Sequence, residues 1–171
     1  MSSTRTFRVE NSIYDAIQEL ARKERVSVNL VANRALRRFV EWDASGSTRG
    51  LVSIPRELLV KLMDSIGPAK ARELGNWAGT ALFLPNMKYL SATVSIPVAL
   101  SGIRMLSQYG SRFGFDHSQQ GRKHIVMIRH SMGRSWSAYY AGTLDAIFRD
   151  FFGKKLKMKI SAEMCVCEFE E

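Results

Sequence analysis

The chain has 171 residues, 46% of them hydrophobic and 24% charged. That is enough for one domain or for a small domain beside a medium one, and no window approaches the roughly 18 uncharged apolar residues that predict a membrane span. The formal charge of +9 favours a polyanion such as nucleic acid, but it is unevenly placed: residues 1–43 carry eight Lys and Arg against six Asp and Glu, the remainder 17 against 10. Cys165 and Cys167 alternate on one strand about 7 Å apart, too far for a comfortable bridge, so no disulfide framework is expected. The segment Met1–Arg8 has no apolar stretch for a secretory signal, which predicts a cytoplasmic protein.

In chain order, Thr4 to Glu10 alternates, with Phe7 and Val9 on one face and Thr4, Thr6 and Arg8 on the other, the pattern of a half-buried strand. Asn11 then reads as an N-cap, followed by a helix with Ile13, Ile17, Leu20 and Ala21 on one stripe. Arg25 to Asn29 breaks the period, and a second helix is expected from Asn29 through Val31, Ala32, Ala35, Leu36 and Phe39. One strand and two helices in about 43 residues cannot enclose a core, and a lone strand leaves its backbone unpaired, so a second copy is required. Two such strands paired antiparallel would bury Phe7 and Val9 in a dimer core with Ile17, Leu20 and Leu36. Thr4, Thr6 and Arg8 would then project as a ribbon fitted to the major groove of double-stranded DNA.

The text TFRV, then IYDAIQELA, then SVNLVANRALRRFV resembles the ribbon-helix-helix family of Arc, MetJ and CopG-type repressors. The resemblance implies that Arg8 is the groove-reading basic residue and that Ser27 and Asn29 cap the second helix. Glu10 departs from the family, which more often has Pro, Ser or Asp at that turn. Arg8 can donate twice to a guanine edge, the threonine hydroxyls and methyls suit other base edges, and the helix terminus at Asn29 can hold a phosphate. Arg5 and Arg25 are further phosphate candidates. The competing readings are a simple dimerisation arm or a helix-turn-helix, which would want another helix before Asn11.

Residues 44–50 (ASGSTRG) read as a linker before a domain over 51–171. Helices are expected from Ile54-Pro55 to Gly67-Pro68, from about Ala69 to Phe83 with a stop before Pro85, and from Pro97 to about Tyr109 with Gly110 ending it; Asn86 to Ser95 is left between strand and loop. Arg112 to His117 and His124 to His130 predict a hairpin joined by Ser118–Gly121. A long helix follows from about Ser135 to Phe152, and LKMKIS with MCVCEFE predicts a second hairpin. The expected class is α+β, with about four antiparallel strands. In element order alone this domain resembles small sensor domains of the 4-vinyl-reductase and haem-nitric-oxide-binding type, which implies sensing without implying a ligand.

Within it, Arg129, His130, Arg134 and Trp136 span a strand end, a Gly turn and a helix start, a candidate effector site; the plainer reading is a capped helix anchored by Trp136. The two cysteines with His117, His124 and His130 allow a soft-metal site, but C-x-C is not a zinc spacing and buried core cysteines are the preferred reading, so no metal or cofactor is expected. Gly75 to Gly79 suits close helix packing, and Lys155, Lys157 and Lys159 suit a solvated edge or extra DNA contact. No catalytic constellation is visible, so an enzyme is not expected. The reading is a DNA-binding transcriptional regulator, a repressor-type homodimer extendable to a tetramer, with a small-molecule effector as an optional partner and no membrane. Its alternatives are an antitoxin-like interaction protein and a DNA-tethered enzyme.

Overall fold

The computed structural model describes residues 5–44, 50, 52–88 and 91–171, in two compact units, 1–51 and 52–171. Among these residues no helix is long and apolar enough to cross a membrane.

The first unit has two helices, α1 (Asn11–Glu24) and α2 (Val28–Arg38), the second running into a π-helical turn at Phe39–Asp43. The cap position of α1 is Glu10 rather than Asn11; no side chain caps it, and its carbonyl accepts from the Ile13 and Tyr14 N–H groups at 3.1 and 3.0 Å. Arg25 ends the helix in the left-handed region (φ 56°, ψ 43°), with Val26 N–H on the Ala21 carbonyl at 2.9 Å and Arg25 N–H on that of Arg22 at 3.2 Å, a Schellman closure. Ser27 Oγ then accepts from Leu30 N–H at 3.2 Å and starts α2 at Val28. Asn29, expected as a cap, therefore lies inside the first turn, where its carbonyl accepts from Asn33 Nδ2 at 2.8 Å. Thr4 lies outside the described residues, and residues 5–10 form no strand; among the described residues of this unit there is no second strand to complete a ladder.

In the second unit, α3 (Arg56–Ala78) is broken at Gly67 (φ 73°, ψ 167°) before Pro68, as the Gly-Pro pair predicts. The chain does not stop before Pro85. It passes through a π-helical turn (Gly79–Phe83) into α4 (Leu84–Met87), with Pro85 in the first turn, where its missing N–H breaks no bond within that short helix. Residues 91–95 form no strand, while 89 and 90 lie outside the described residues. Helix α5 (Ile96–Gly110) opens on Ser95, whose Oγ accepts from Val98 N–H at 3.5 Å, and closes on Ser111 rather than Gly110 in the left-handed region.

Strands β1 (Gly114–Gln120) and β2 (Lys123–Arg129) make the first hairpin. Its ladder continues to Gln120↔Lys123, so the turn is only Gly121-Arg122, shorter than expected, with Gly121 at φ +59°. Helix α6 (Arg134–Leu144) continues as a π-helical segment, Asp145–Phe151, in place of one uniform helix. Strands β3 (Lys157–Ile160) and β4 (Met164–Glu170) form the second hairpin. All pairs are antiparallel, in the order β1-β2-β4-β3, so the class is α+β.

Val126, Ile128, Cys165, Cys167 and Phe169 line one sheet face and share a core with Trp136, Tyr140, Leu144, Ile147 and Phe148 of α6 and its extension. Helix α6 is buried on nearly every side, consistent with its run of small and aromatic residues. Backbone contact with α3 makes this possible: a Cβ on Gly75 would strike the Tyr139 carbonyl, and one on Gly142 the Arg72 carbonyl. Gly75 and Gly79 thus serve close packing, and Thr143 Oγ1 fixes the crossing by donating to the Gly75 carbonyl at 3.1 Å. Asp145 is buried there with two guanidinium partners, Arg72 and Arg149.

Candidate functional site

In the first unit Arg5, Thr6, Arg8, Arg25, Ser27 and Asn29 are all exposed. The side chains expected in the dimer core are open as well: Phe7 is 71% exposed, Leu36 52%, with Val9 and Leu20 close behind and Ile17 half-buried. Among the described residues of this unit only Ala21 is buried. The two helices are tied by an ion pair from Arg34 to Glu24 at 2.8 Å.

In the second unit an open pocket of about 430 Å³ is lined by Arg56, Ser111, Arg112, Phe113, Gly114, Arg129, His130 and Ser131. It forms where the start of α3, the α5–β1 turn and the end of β2 meet, since the ladder pairs Gly114 with Arg129. Of the four residues expected to form an effector site, Arg129 and His130 line it. Arg134 does not line it and is exposed, and Trp136 is buried. Arg56 and Arg112 were missed because they come from elements far away in sequence, with no local motif to mark them.

Arg129 pairs with Asp116, and Arg56 donates to Ser131 Oγ. His130 Nδ1 accepts from the Met132 backbone N–H at 3.2 Å, so the ring proton sits on Nε2 and is donated to Ser137 Oγ at 2.9 Å. That tautomer offers Ser137 no free lone pair, and Ser137 is fully buried, so the pair is not an activated nucleophile. Burial holds the His130 pKa below its ordinary value; Glu163 opposes the shift and Arg56 adds to it. Behind the pocket stands an aromatic cluster: Tyr140 meets Phe113 edge-on at 5.0 Å, His130 at 5.3 Å and Trp136 at 5.7 Å. Tyr140 Oη and Trp136 Nε1 are buried without a hydrogen-bond partner among the described residues.

The remaining histidines do not converge with the cysteines. His117 Nε2 and His124 Nδ1 lie 3.0 Å apart, and His124 stacks on Phe169 and reaches Glu171 Oε2 at 3.4 Å. Burial pushes the Cys165 and Cys167 thiols up to about 12, which keeps them neutral. Among the described residues no group of three or more His, Cys, Asp and Glu is arranged to hold a metal ion. Lys157 and Lys159 are exposed on the edge strand β3, and both act on Glu168, to which Lys123 is bonded at 2.8 Å.

No protein family matches this chain, and no curated protein is detectably similar to it.

Proposed function

We propose that the chain is a sequence-specific DNA-binding regulator that acts as a homodimer, with 1–43 as its reading head and the second unit as an assembly and ligand-sensing domain. One observation carries the reading. Two well-closed amphipathic helices bury Ala21 alone among the described residues of their unit and leave Phe7, Val9, Leu20 and Leu36 open. An apolar face of that extent marks an interface. A second copy is the occupant that also supplies the missing strand, since pairing two 4–10 segments satisfies their backbone groups and covers Phe7 and Val9.

Thr4, Thr6 and Arg8 then face the major groove, and the unbonded N–H groups in the first turn of α2 take a phosphate. Arg5 and Arg25 add charge beside them. Arg25 occupies a left-handed conformation that costs a residue with a side chain about 1 kcal/mol relative to glycine, which suits a position where a guanidinium is wanted. In the second unit Leu58, Leu62 and Ile66 form an exposed i, i+4, i+8 stripe on α3 suited to joining dimers into a tetramer. An antitoxin-like role fits less well because the second unit is a folded α+β domain rather than a short tail. A DNA-tethered enzyme fits less well because both ring nitrogens of His130 are already engaged.

The test is a fluorescence-anisotropy titration, at several salt concentrations, on a duplex selected from random sequence and on its scrambled counterpart. Arg8→Ala should reduce the preference for the selected site about tenfold or more, the value of one bidentate base contact. Ser27→Ala should weaken both duplexes alike. If Arg8→Ala discriminates as well as the native chain, the ribbon is not the reader.

A further inference from the structure

The pocket of the second unit gathers three guanidiniums, from Arg56, Arg112 and Arg129, around one depression. Only Arg129 has a carboxylate partner, Asp116; Arg56 is held by a serine hydroxyl, and no carboxylate pairs with Arg112 among the described residues. Arg56 and Arg112, gathered beside Arg129 without carboxylates of their own, repel one another, and an anion between them removes that cost. The half-buried Phe113 contributes an apolar side chain to the lining. Tyr140 packs behind the lining against Phe113 and His130, with its hydroxyl buried.

We infer that this pocket binds a small organic anion: its carboxylate or phosphate sits between Arg56, Arg112 and Arg129, and its apolar body rests on Phe113. The volume of about 430 Å³ lies in the range of small-molecule sites. Guanidinium forks match planar oxyanions in two-point contact. A backbone phosphate of DNA would need the cations but not the Phe113 ring beside them, so a free small molecule is the better fit.

The experiment is isothermal titration of the full-length chain with benzoate, acetate and inorganic phosphate, with no DNA present. Its failure and the failure of the DNA-binding reading are therefore separate outcomes. Benzoate is expected to saturate one site per chain and to bind more tightly than acetate, which lacks the ring. Arg112→Gln, a rim substitution, should weaken benzoate about tenfold or more, with Arg112→Lys intermediate. The inference is overturned if no probe saturates, if acetate binds as tightly as benzoate, or if Arg112→Gln binds as the native chain does. It is overturned equally if Arg112→Gln loses DNA affinity while no probe binds, which would make the arginines a DNA-phosphate face.

Discussion

Leu36→Ala measures directly whether the open face of the first unit is a dimer core. Leu36 is 52% exposed in the single chain, so about half of its side-chain burial remains to be gained on association. Fully burying a leucine contributes roughly 1.5–3 kcal/mol, and half of that is about 1 kcal/mol per chain. Each dimer loses it twice, about 2 kcal/mol, which at 1.4 kcal/mol per decade is a rise of about thirtyfold in the dimer dissociation constant. Alanine is the strongest helix former, so α2 itself is not weakened and far-ultraviolet circular dichroism should be unchanged. Sedimentation equilibrium across a wide concentration range reads the constant for both chains. The reasoning is refuted if the native chain stays monomeric throughout that range, or if the variant dissociates within about twofold of it.

Gly142→Ala drives a Cβ into the Arg72 carbonyl across the α3–α6 crossing, where backbone meets backbone and neither side can turn away. Overpacking of about 3 kcal/mol, less roughly 1 kcal/mol of gained helix propensity, should lower the melting temperature of the second unit by about 8 °C in calorimetry; an unchanged value would mean the helices are further apart. His117 has its pKa lowered by burial, then by His124 and Arg104, so the unfolded chain binds its proton more readily than the folded one. Stability should be full above the ordinary 6.5 and fall as pH drops through that value toward the folded pKa. His117→Gln should flatten that part of a stability–pH profile, and an equally steep profile in the variant would assign the slope elsewhere. Cys165 and Cys167, buried with thiols pushed up to about 12, should be modified by an aromatic disulfide reagent only after denaturation; prompt reaction of the native chain would contradict the packing of β4.

What was readable in the sequence was local. The apolar stripe of α1, the serine cap at Ser27, the break at Gly67-Pro68 and the two hairpins each depend on neighbours a few residues away, and each appears where its pattern falls. Residues 5–10 show alternation without a ladder, because no strand among the described residues of their unit pairs with them. Pro85 misled for the opposite reason, since a proline forbidden in mid-helix is tolerated in the first turn of α4. The pocket was half legible. Arg129 and His130 stand beside a conspicuous Gly turn, whereas Arg56 and Arg112 reach it through tertiary packing, with Tyr140 packed behind His130. An orphaned phenol leaves no trace in a sequence, because being unpartnered is a property of surroundings.

The break at Gly67 makes the first half of α3 an arm with Arg56 at its tip. Eleven residues at 1.5 Å each give a reach of about 16 Å, so a swing of only about 10° at the glycine carries the guanidinium about 3 Å. That is a full hydrogen-bond length at the pocket rim for a change of a few degrees at one pair of backbone torsions. The pivot has no neighbouring atoms within 4 Å of where a Cβ would stand. Packing opposes such a swing, with Met63 buried in the core and Leu59 and Val60 packed against it. The position of Arg56 therefore depends on the torsions at residue 67 and on the packing of Leu59, Val60 and Met63 as well as on the serine it touches.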